Sequence, residues 1–377
     1  MAAEEPASTA HSRERGSDQE HPSEESFRTA HLESGPDREI RAARPRPDVE
    51  SMRAAYLELL KLSLCDLTGA STLSVTKSGH GRETDGPIFS RELAGAELGL
   101  RAKGVDWPWS GLTMVGLTRL DDLQRCIESV VAEDVDGDLI EAGAWRGGAS
   151  VLMRATLDSL GADERTVWVA DSFRGLPPPD HERFPEDHEL DLSRLDYLAV
   201  PVDEVRAYFA RFGCEHGVRY LEGFFADTLP TLRDHRWSVM RLDGDTYEST
   251  WVGLDSLYPG LSAGGHVIVD DYLLIDECRR AVDDYRREHR ITEPIEEVDW
   301  NSVRWRREQA PRRGNGRRAE PAAPVTAGGR GDVRRHGRAR IPTERELELE
   351  RQVAALRRGR WPMRWVRRAT AKLRGDR

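Results

Sequence analysis

From Asp138 to Arg307 the apolar positions fall into two alternating patterns. Short β-branched runs, "GDLIEAGA", "RTVWVADS", "GVRYLEGF", "WSVMRLDGD" and "GGHVIVDDY", have the length and composition of buried strands. Between them "GGASVLMRATLDSLG", "PVDEVRAYFARFG", a stretch near Trp251 to Leu257, and "DECRRAVDDYRREH", closed by His289, carry helical spacing. "SVRWRRE" reads as a final edge strand. Strands alternating with helices of about 10–15 residues predict a parallel sheet covered on both faces, a doubly wound α/β domain over residues 51–308. Ahead of it lie two amphipathic helices. One is "MRAAYLELLKLSLCDL", through Tyr56, Leu57, Leu60, Leu64 and Leu67; the other is "RLDDLQRCIESVVAE", through Leu120, Leu123, Ile127 and Val130.

Composition changes this picture at the ends. Residues 1–50 are rich in Glu, Ser, Pro and Arg and nearly free of large apolar side chains, so they are expected to be disordered. Residues 309–342 are Arg, Gly, Pro and Ala, a linker. Residues 343–377 read as a basic helical tail, with Thr343 and Glu346 as a capping box and Leu349, Val353 and Leu356 as a narrow apolar stripe. The net charge of -11 is unevenly spread: from Gln309 onward 20 Lys+Arg face 7 Asp+Glu, which leaves the body at about -24. An acidic body excludes nucleic acid as the expected partner. The tail, with Trp361 and Trp365, suits an anionic membrane or an acidic partner, and equally a solvated extension. No apolar run is long enough for a membrane helix, and no signal-peptide h-region is present, so a cytoplasmic location is expected. The four cysteines form no CxxC or Cys/His cluster and read as ordinary reduced thiols.

The chemistry gathers where strands end. "EAGAWRGGAS", with Glu141, Gly143, Gly147, Gly148 and Ser150, is a glycine-rich turn that admits a ligand to the backbone and offers free N–H groups; a plain strand-to-helix turn is the alternative. It is neither the dinucleotide fingerprint nor a P-loop. One βαβ unit later, Asp171 stands where a carboxylate takes both ribose hydroxyls, or where it caps a helix. Gly223, Phe224 and Asp227 could flank an adenine ring, though Phe224 and Phe225 could equally be core. Two acidic pairs follow, Asp243 with Asp245 and Asp270 with Asp271, each after an apolar run. Carboxylates repel and are costly to desolvate, so three of them converging suit an octahedral oxygen site for Mg²⁺; N-caps and turn residues are the alternative.

"RLDGDTYEST" and "LYPGLSAGGHVIVDDY", with upstream "DWPWSGLTMVGLTRLDDL", "GDLIEAGAWRGGAS", "DSFRGLPPPD" and "LEGFFADTLP", strongly resemble the macrocin O-methyltransferase family over roughly residues 51–307. The resemblance implies a mostly parallel seven-stranded sheet of the class I methyltransferase type. It implies S-adenosylmethionine and Mg²⁺ as cofactors and a sugar hydroxyl of a glycosylated natural product as acceptor. It implies Asp243, Asp270 and Asp271 as metal ligands. Asp171, with Ser172 beside it, falls on the cofactor ribose. Glu141, Gly143 and Ser150 fall around its methionine end, with Ala144 and Trp145 in the same turn, and Met114 closes over it. The resemblance points to a histidine base in the insertion after "DSFRGLPPPD"; of His181 and His188, His188 is favoured, with Asp245 as the fallback. Family members commonly associate, so a homo-oligomer is expected, with the first helix as a plausible interface. Among rivals, an aspartyl-phosphate phosphatase would carry its nucleophile after the first strand, and here three other strands precede Asp243. A catalytically silent cofactor-binding scaffold, or methylation of a cell-surface or lipid-linked glycan, stand as alternatives.

Overall fold

A computed structural model of the chain describes residues 48–77, 88–188 and 190–308. The expected tail 1–50, apart from its last residues, the linker 309–342 and the basic segment 343–377 lie outside the described residues. Helix α1 (Val49–Leu64) leads into an antiparallel pair, β1 (Ser71–Lys77) and β2 (Ile88–Ala94), then the short α2 (Leu98–Ala102) and the long α3 (Gly116–Ala132). The α/β core follows as β3 (Asp138–Ala142), α4 (Gly148–Leu160), β4 (Val167–Asp171), α5 (Val202–Arg211), β5 (Val218–Glu222), α6 (Phe225–Thr228), β6 (Trp237–Leu242), α7 (Tyr247–Leu257), β7 (Leu261–Val269) and α8 (Asp276–Glu288). Two more strands, β8 (Glu296–Glu297) and β9 (Val303–Arg306), complete a seven-stranded sheet of order β5-β4-β3-β6-β7-β9-β8. The first five strands run parallel and β9 is antiparallel to both of its neighbours.

Each central strand is buried on both faces, and successive residues serve opposite cores. Leu139, Val167, Val169, Val239 and Ile268 meet α1, α3, α4 and α5 through Leu57, Leu123, Leu152 and Phe209. Ile140, Ala170, Met240, Val267 and Val269 meet α7 and α8 through Leu254, Leu257, Val282 and Tyr285. The chain steps outward from β3 to β4 to β5 and then returns to β6 on the other side of β3. The switch point therefore lies between β3 and β6, where open α/β sheets bind ligands.

Three expectations change. Tyr56 does not join Leu57, Leu60 and Leu64 in the core; it is exposed together with Val49, Met52 and Leu59, because helical rotation sets it on the outer face. "SVRWRRE" is not the edge, since β8 pairs beyond it. The β1–β2 pair had no expected strand: on β1 the buried positions are polar, Thr72 and Ser74, while Leu73 faces out. Arg101 explains this inversion. Its buried guanidinium donates to Thr72 Oγ1 (3.1 Å), to the carbonyls of Leu73 (2.8 Å) and Cys65 (3.1 Å), and to Asp106. Among the described residues no helix is long and apolar enough to cross a membrane.

His266 on β7 lies under α3, only 4% exposed, with Nε2 2.9 Å from Ser129 Oγ. Burial, with Arg306 and Arg304 nearby, pushes its pKa down to about 4. The unfolded imidazole binds its proton near pH 6.5, so between these values the unfolded state holds more protons and stability falls as pH falls. Urea unfolding at pH 7 and pH 5 should show a loss of about 2 kcal/mol from this group, and His266→Gln should remove that part of the pH dependence.

Candidate active site

An open cleft of about 780 Å³, part of it open to solvent, lies at the carboxyl ends of β3, β4, β5 and β6. It is lined by Met114 from the segment before α3, Gly143 and Trp145 after β3, Asp171 and Ser172 at the end of β4, and Phe224 after β5. The lining continues with Asp243 and Asp245 after β6, with Glu248, Ser249 and Val252 of α7, and with Leu176, Pro177 and Leu198 of the long insertion after β4.

The glycine-rich turn is organised by Asp171. Its Oδ2 accepts from the amides of Ala144 (2.8 Å) and Trp145 (3.0 Å), and its Oδ1 accepts from Phe173 N (2.8 Å). The amides of Ala144 and Trp145 are therefore not free, contrary to expectation, and Gly148 N is taken by Leu112 O. Glycine is required at 143 by its φ of +93° and because a Cβ there would sit 1.9 Å from Asp243 O. Trp145, Phe173 and Asp245 hold positive φ without being glycine, 49°, 56° and 61°, a strain that concentrates at ligand-facing turns.

Across the switch point runs a buried ion network. Arg241 on β6, 2% exposed, donates to Glu141 Oε1 (2.7 Å) and Asp270 Oδ1 (2.6 Å) and lies 2.8 Å from Asp243 Oδ2. Arg119 of α3 binds the other oxygen of Asp270 and meets Asp299 at 3.1 Å. Ser150 Oγ donates to the second oxygen of Glu141, whose pKa is raised to about 7 by burial in spite of Arg241. Asp271 Oδ1 accepts from Asn301 Nδ2 (3.0 Å), whereas its Oδ2 is buried without a hydrogen-bond partner. One oxygen each of Asp243, Asp245 and Asp271 lie within 4.8 Å of one another. Burial raises the pKa of all three, and the neighbouring carboxylates raise them further. Two guanidiniums thus face six carboxylates, a surplus of negative charge that a divalent cation would balance.

The expected site residues divide by depth. Met114, Gly143, Trp145, Asp171, Ser172, Phe224, Asp243 and Asp245 line the cleft. Glu141, Ala144, Ser150, Asp270 and Asp271 are buried outside its wall. Gly223 turns the chain at φ +145°, and Asp227 is exposed on α6, away from the wall. The geometry groups Asp245, not Asp270, with Asp243 and Asp271, because both oxygens of Asp270 are engaged by arginines. His188 follows a short turn, Pro185–Asp187, exposed and outside the cleft wall, with Nδ1 3.1 Å from Pro185 O. Sequence reasoning missed Arg119, Arg241 and Asp187; a lone arginine inside an apolar run, as in "VMRLD", is the one signal that pointed to any of them.

A model of the family described as Macrocin-O-methyltransferase (TylF) matches residues 56–307. The chain belongs to this family. It is therefore an O-methyltransferase. The 8-demethyl-8-(2,3-dimethoxy-alpha-L-rhamnosyl)-tetracenomycin-C 4'-O-methyltransferase of Streptomyces olivaceus is 46% identical over 260 residues, 68% of this chain and 94% of that protein. The mycinamicin III 3''-O-methyltransferase of Micromonospora griseorubida is 43% identical over 211 residues, 55% of this chain and 83% of that protein. The solved structure of the O-methyltransferase NovP shares the fold at TM-score 0.60 and 38% identity, covering 68% of this chain and 100% of that one.

In this O-methyltransferase, Arg241→Met removes the cation that three carboxylates share and leaves them buried against one another. Breaking a buried pair in this way costs about 3–5 kcal/mol. Urea unfolding should show a loss of that size, and Arg241→Lys should recover only part of it, because one ammonium cannot reproduce the forked contacts.

Proposed function

We propose that the protein transfers the methyl group of S-adenosylmethionine to a sugar hydroxyl of a glycosylated natural product with the help of Mg²⁺. The observation that carries this reading is the convergence of Asp243, Asp245 and Asp271, two of which line a cleft that the Asp171-bound turn also lines. The relatives' names, a rhamnosyl tetracenomycin 4'-O-methyltransferase and a mycinamicin 3''-O-methyltransferase, support a glycoside acceptor.

The cofactor side suits a nucleoside without phosphates. The amides of Ala144 and Trp145, at the head of the turn, are already taken by Asp171, which disfavours a pyrophosphate there. Asp171 and Ser172 would meet the ribose, Phe224 the adenine, and Gly143, Trp145 and Met114 the methionine end. The bound cofactor supplies an electrophilic methyl on a sulfonium. Glu141 and Ser150 act from beneath the wall, holding Arg241 and the first turn of α4 in place.

The acidic side fits a hard divalent cation: the donors are carboxylates, and one buried oxygen of Asp271 lacks any other partner. We assign Asp243 and Asp271 as ligands, with Asp270 behind them as the third carboxylate, its charge shared with Arg119 and Arg241. The cation, when bound, supplies positive charge that eases deprotonation of a neighbouring hydroxyl. Asp245 lines the cleft where Asp270 and Asp271 do not, so it is the carboxylate placed to accept the acceptor's proton. Leu176, Pro177, Leu198 and Val252 exclude water and offer apolar walls to a glycoside, while Glu248 and Ser249 offer hydrogen bonds.

Isothermal titration should give saturable one-site binding of S-adenosylmethionine and S-adenosylhomocysteine; no heat with either would remove this reading. Asp271→Asn should abolish Mg²⁺ binding while cofactor affinity stays within about threefold. The base is decided by methyl transfer to rhamnosyl-bearing glycosides in the presence of Mg²⁺. Asp245→Asn should lower turnover by about 10²–10⁴-fold with Mg²⁺ affinity retained, and His188→Ala should leave turnover within about threefold. The reverse pattern would return the role to His188.

A further inference from the structure

Among the described carboxylates of the insertion after β4, Asp187 is the buried one, and none of the chemistry above uses it. Asp187 is 1% exposed and, 60 positions before Tyr247, it reaches the start of α7. Its Oδ1 accepts from Tyr247 N (2.7 Å) and its Oδ2 from Glu248 N (2.9 Å), the first two amides of α7. The third, Ser249 N, is taken by Thr246 Oγ1 (3.1 Å). A carboxylate supplied from a distant loop thus caps an eleven-residue helix whose amides would otherwise be orphaned, and its charge suits the positive end of the helix dipole.

The rest of the insertion is seated around this contact. Phe184 packs against Tyr247 with ring centroids 6.3 Å apart, and Arg280 of α8 donates to Glu186 O (3.0 Å). Between the end of β6 at Leu242 and the pinned amide of Tyr247 only Asp243 to Thr246 remain. That short span holds Gly244, the left-handed Asp245 and a Thr246 N to Gly244 O bond of 2.6 Å. With both ends fixed, the directions of the Asp243 and Asp245 carboxylates follow from where α7 begins.

We propose that Asp187 is a positioning residue that locks the insertion onto the first turn of α7 and thereby sets the Asp243–Asp245 turn for cation binding. This rests on the cation reading given above. Closure of the cleft by the insertion and completion of the acidic site are then one event: when Asp187 leaves the helix start, two amides lose their acceptors and the turn before them loses its anchor.

The test uses the full chain loaded with S-adenosylhomocysteine and titrated with MgCl₂ alone, alongside timed trypsin cleavage in the insertion, after Arg183 or Arg194. Asp187→Asn keeps the shape but can accept at only one oxygen. It should weaken Mg²⁺ binding about tenfold, about 1.4 kcal/mol, while S-adenosylhomocysteine affinity stays within about twofold. Cleavage in the insertion should accelerate in parallel, and Glu186→Gln, the neighbouring change, should alter neither. Should Asp187→Asn fail to fold, Phe184→Leu loosens the same seat by packing and should move both readouts in the same direction. Faster cleavage with unchanged Mg²⁺ affinity would reduce Asp187 to an anchor for the insertion and overturn the proposal, as would no change in either. No Mg²⁺ heat from the unaltered protein would remove the cation reading itself, and this proposal with it.

Discussion

Arg241 is the constraint around which the switch point is built. It sits inside β6 with no route to water, so its charge must be met by carboxylates at hydrogen-bond distance or the strand would not bury it. Glu141 stands directly beside it in the β3–β6 register, and Asp270 follows the end of β7 on the other side. Both neighbours must therefore be parallel strands in this order and this register. A slip of one residue would turn the guanidinium to the opposite face and leave Glu141 and Asp270 without it. The sheet's register and the geometry of its acidic end are one condition, and Arg119 extends that condition to α3.

The sheet supplies the charged residues, whereas the walls of the cleft come from outside it. Trp107 stacks on Tyr197 at 5.3 Å and 3°, Tyr197 donates to Pro108 O, and Trp145 Nε1 donates to Tyr197 O (3.0 Å). Arg146 lies over the Trp145 ring and reaches Gly111 O (2.8 Å). The entry segment, the glycine turn and the insertion are thus tied together beside the glycine turn's part of the cleft. Asp187 ties the insertion a second time, above the acidic side. Leu176, Pro177 and Leu198 line the cleft from the part of the insertion outside the Phe184–Asp187 seat, so a change there would alter the cleft's shape and leave the anchor of the acidic turn in place.

Much of this was legible in the sequence because burial on both faces leaves a simple trace: runs such as "HVIV" and "VWVA" between helical segments. The acidic pairs were legible because carboxylates directly after such runs have no packing reason to be there. What the sequence could not reveal was which charge answers which. Arg119 looks like an ordinary residue of an amphipathic helix, and its partner Asp270 lies 151 positions away. Asp187 stands among other acidic residues in "FPEDHELDL", and only its burial distinguishes it. The β1–β2 pair was hidden for a related reason, since Thr72 is an interior partner of Arg101 and Ser74 of Trp107 O, which reverses the usual alternation on β1. In each case a long-range polar contact overrides a local pattern.

The acidic end also carries an electrostatic cost that a bound divalent cation would relieve. Asp243, Asp245 and Asp271 are driven toward their protonated forms by burial and by one another, and one oxygen of Asp271 has no donor at all. Arg241 and Arg119 cannot cancel the surplus, since their contacts are already divided among Glu141, Asp243, Asp270 and Asp299. A divalent cation would displace those protons and give the unpartnered oxygen a partner, so binding and folding would draw on the same charge balance. The two arginines set how far that balance is met beforehand: enough to let the carboxylates be buried, and not enough to leave nothing for a cation to do.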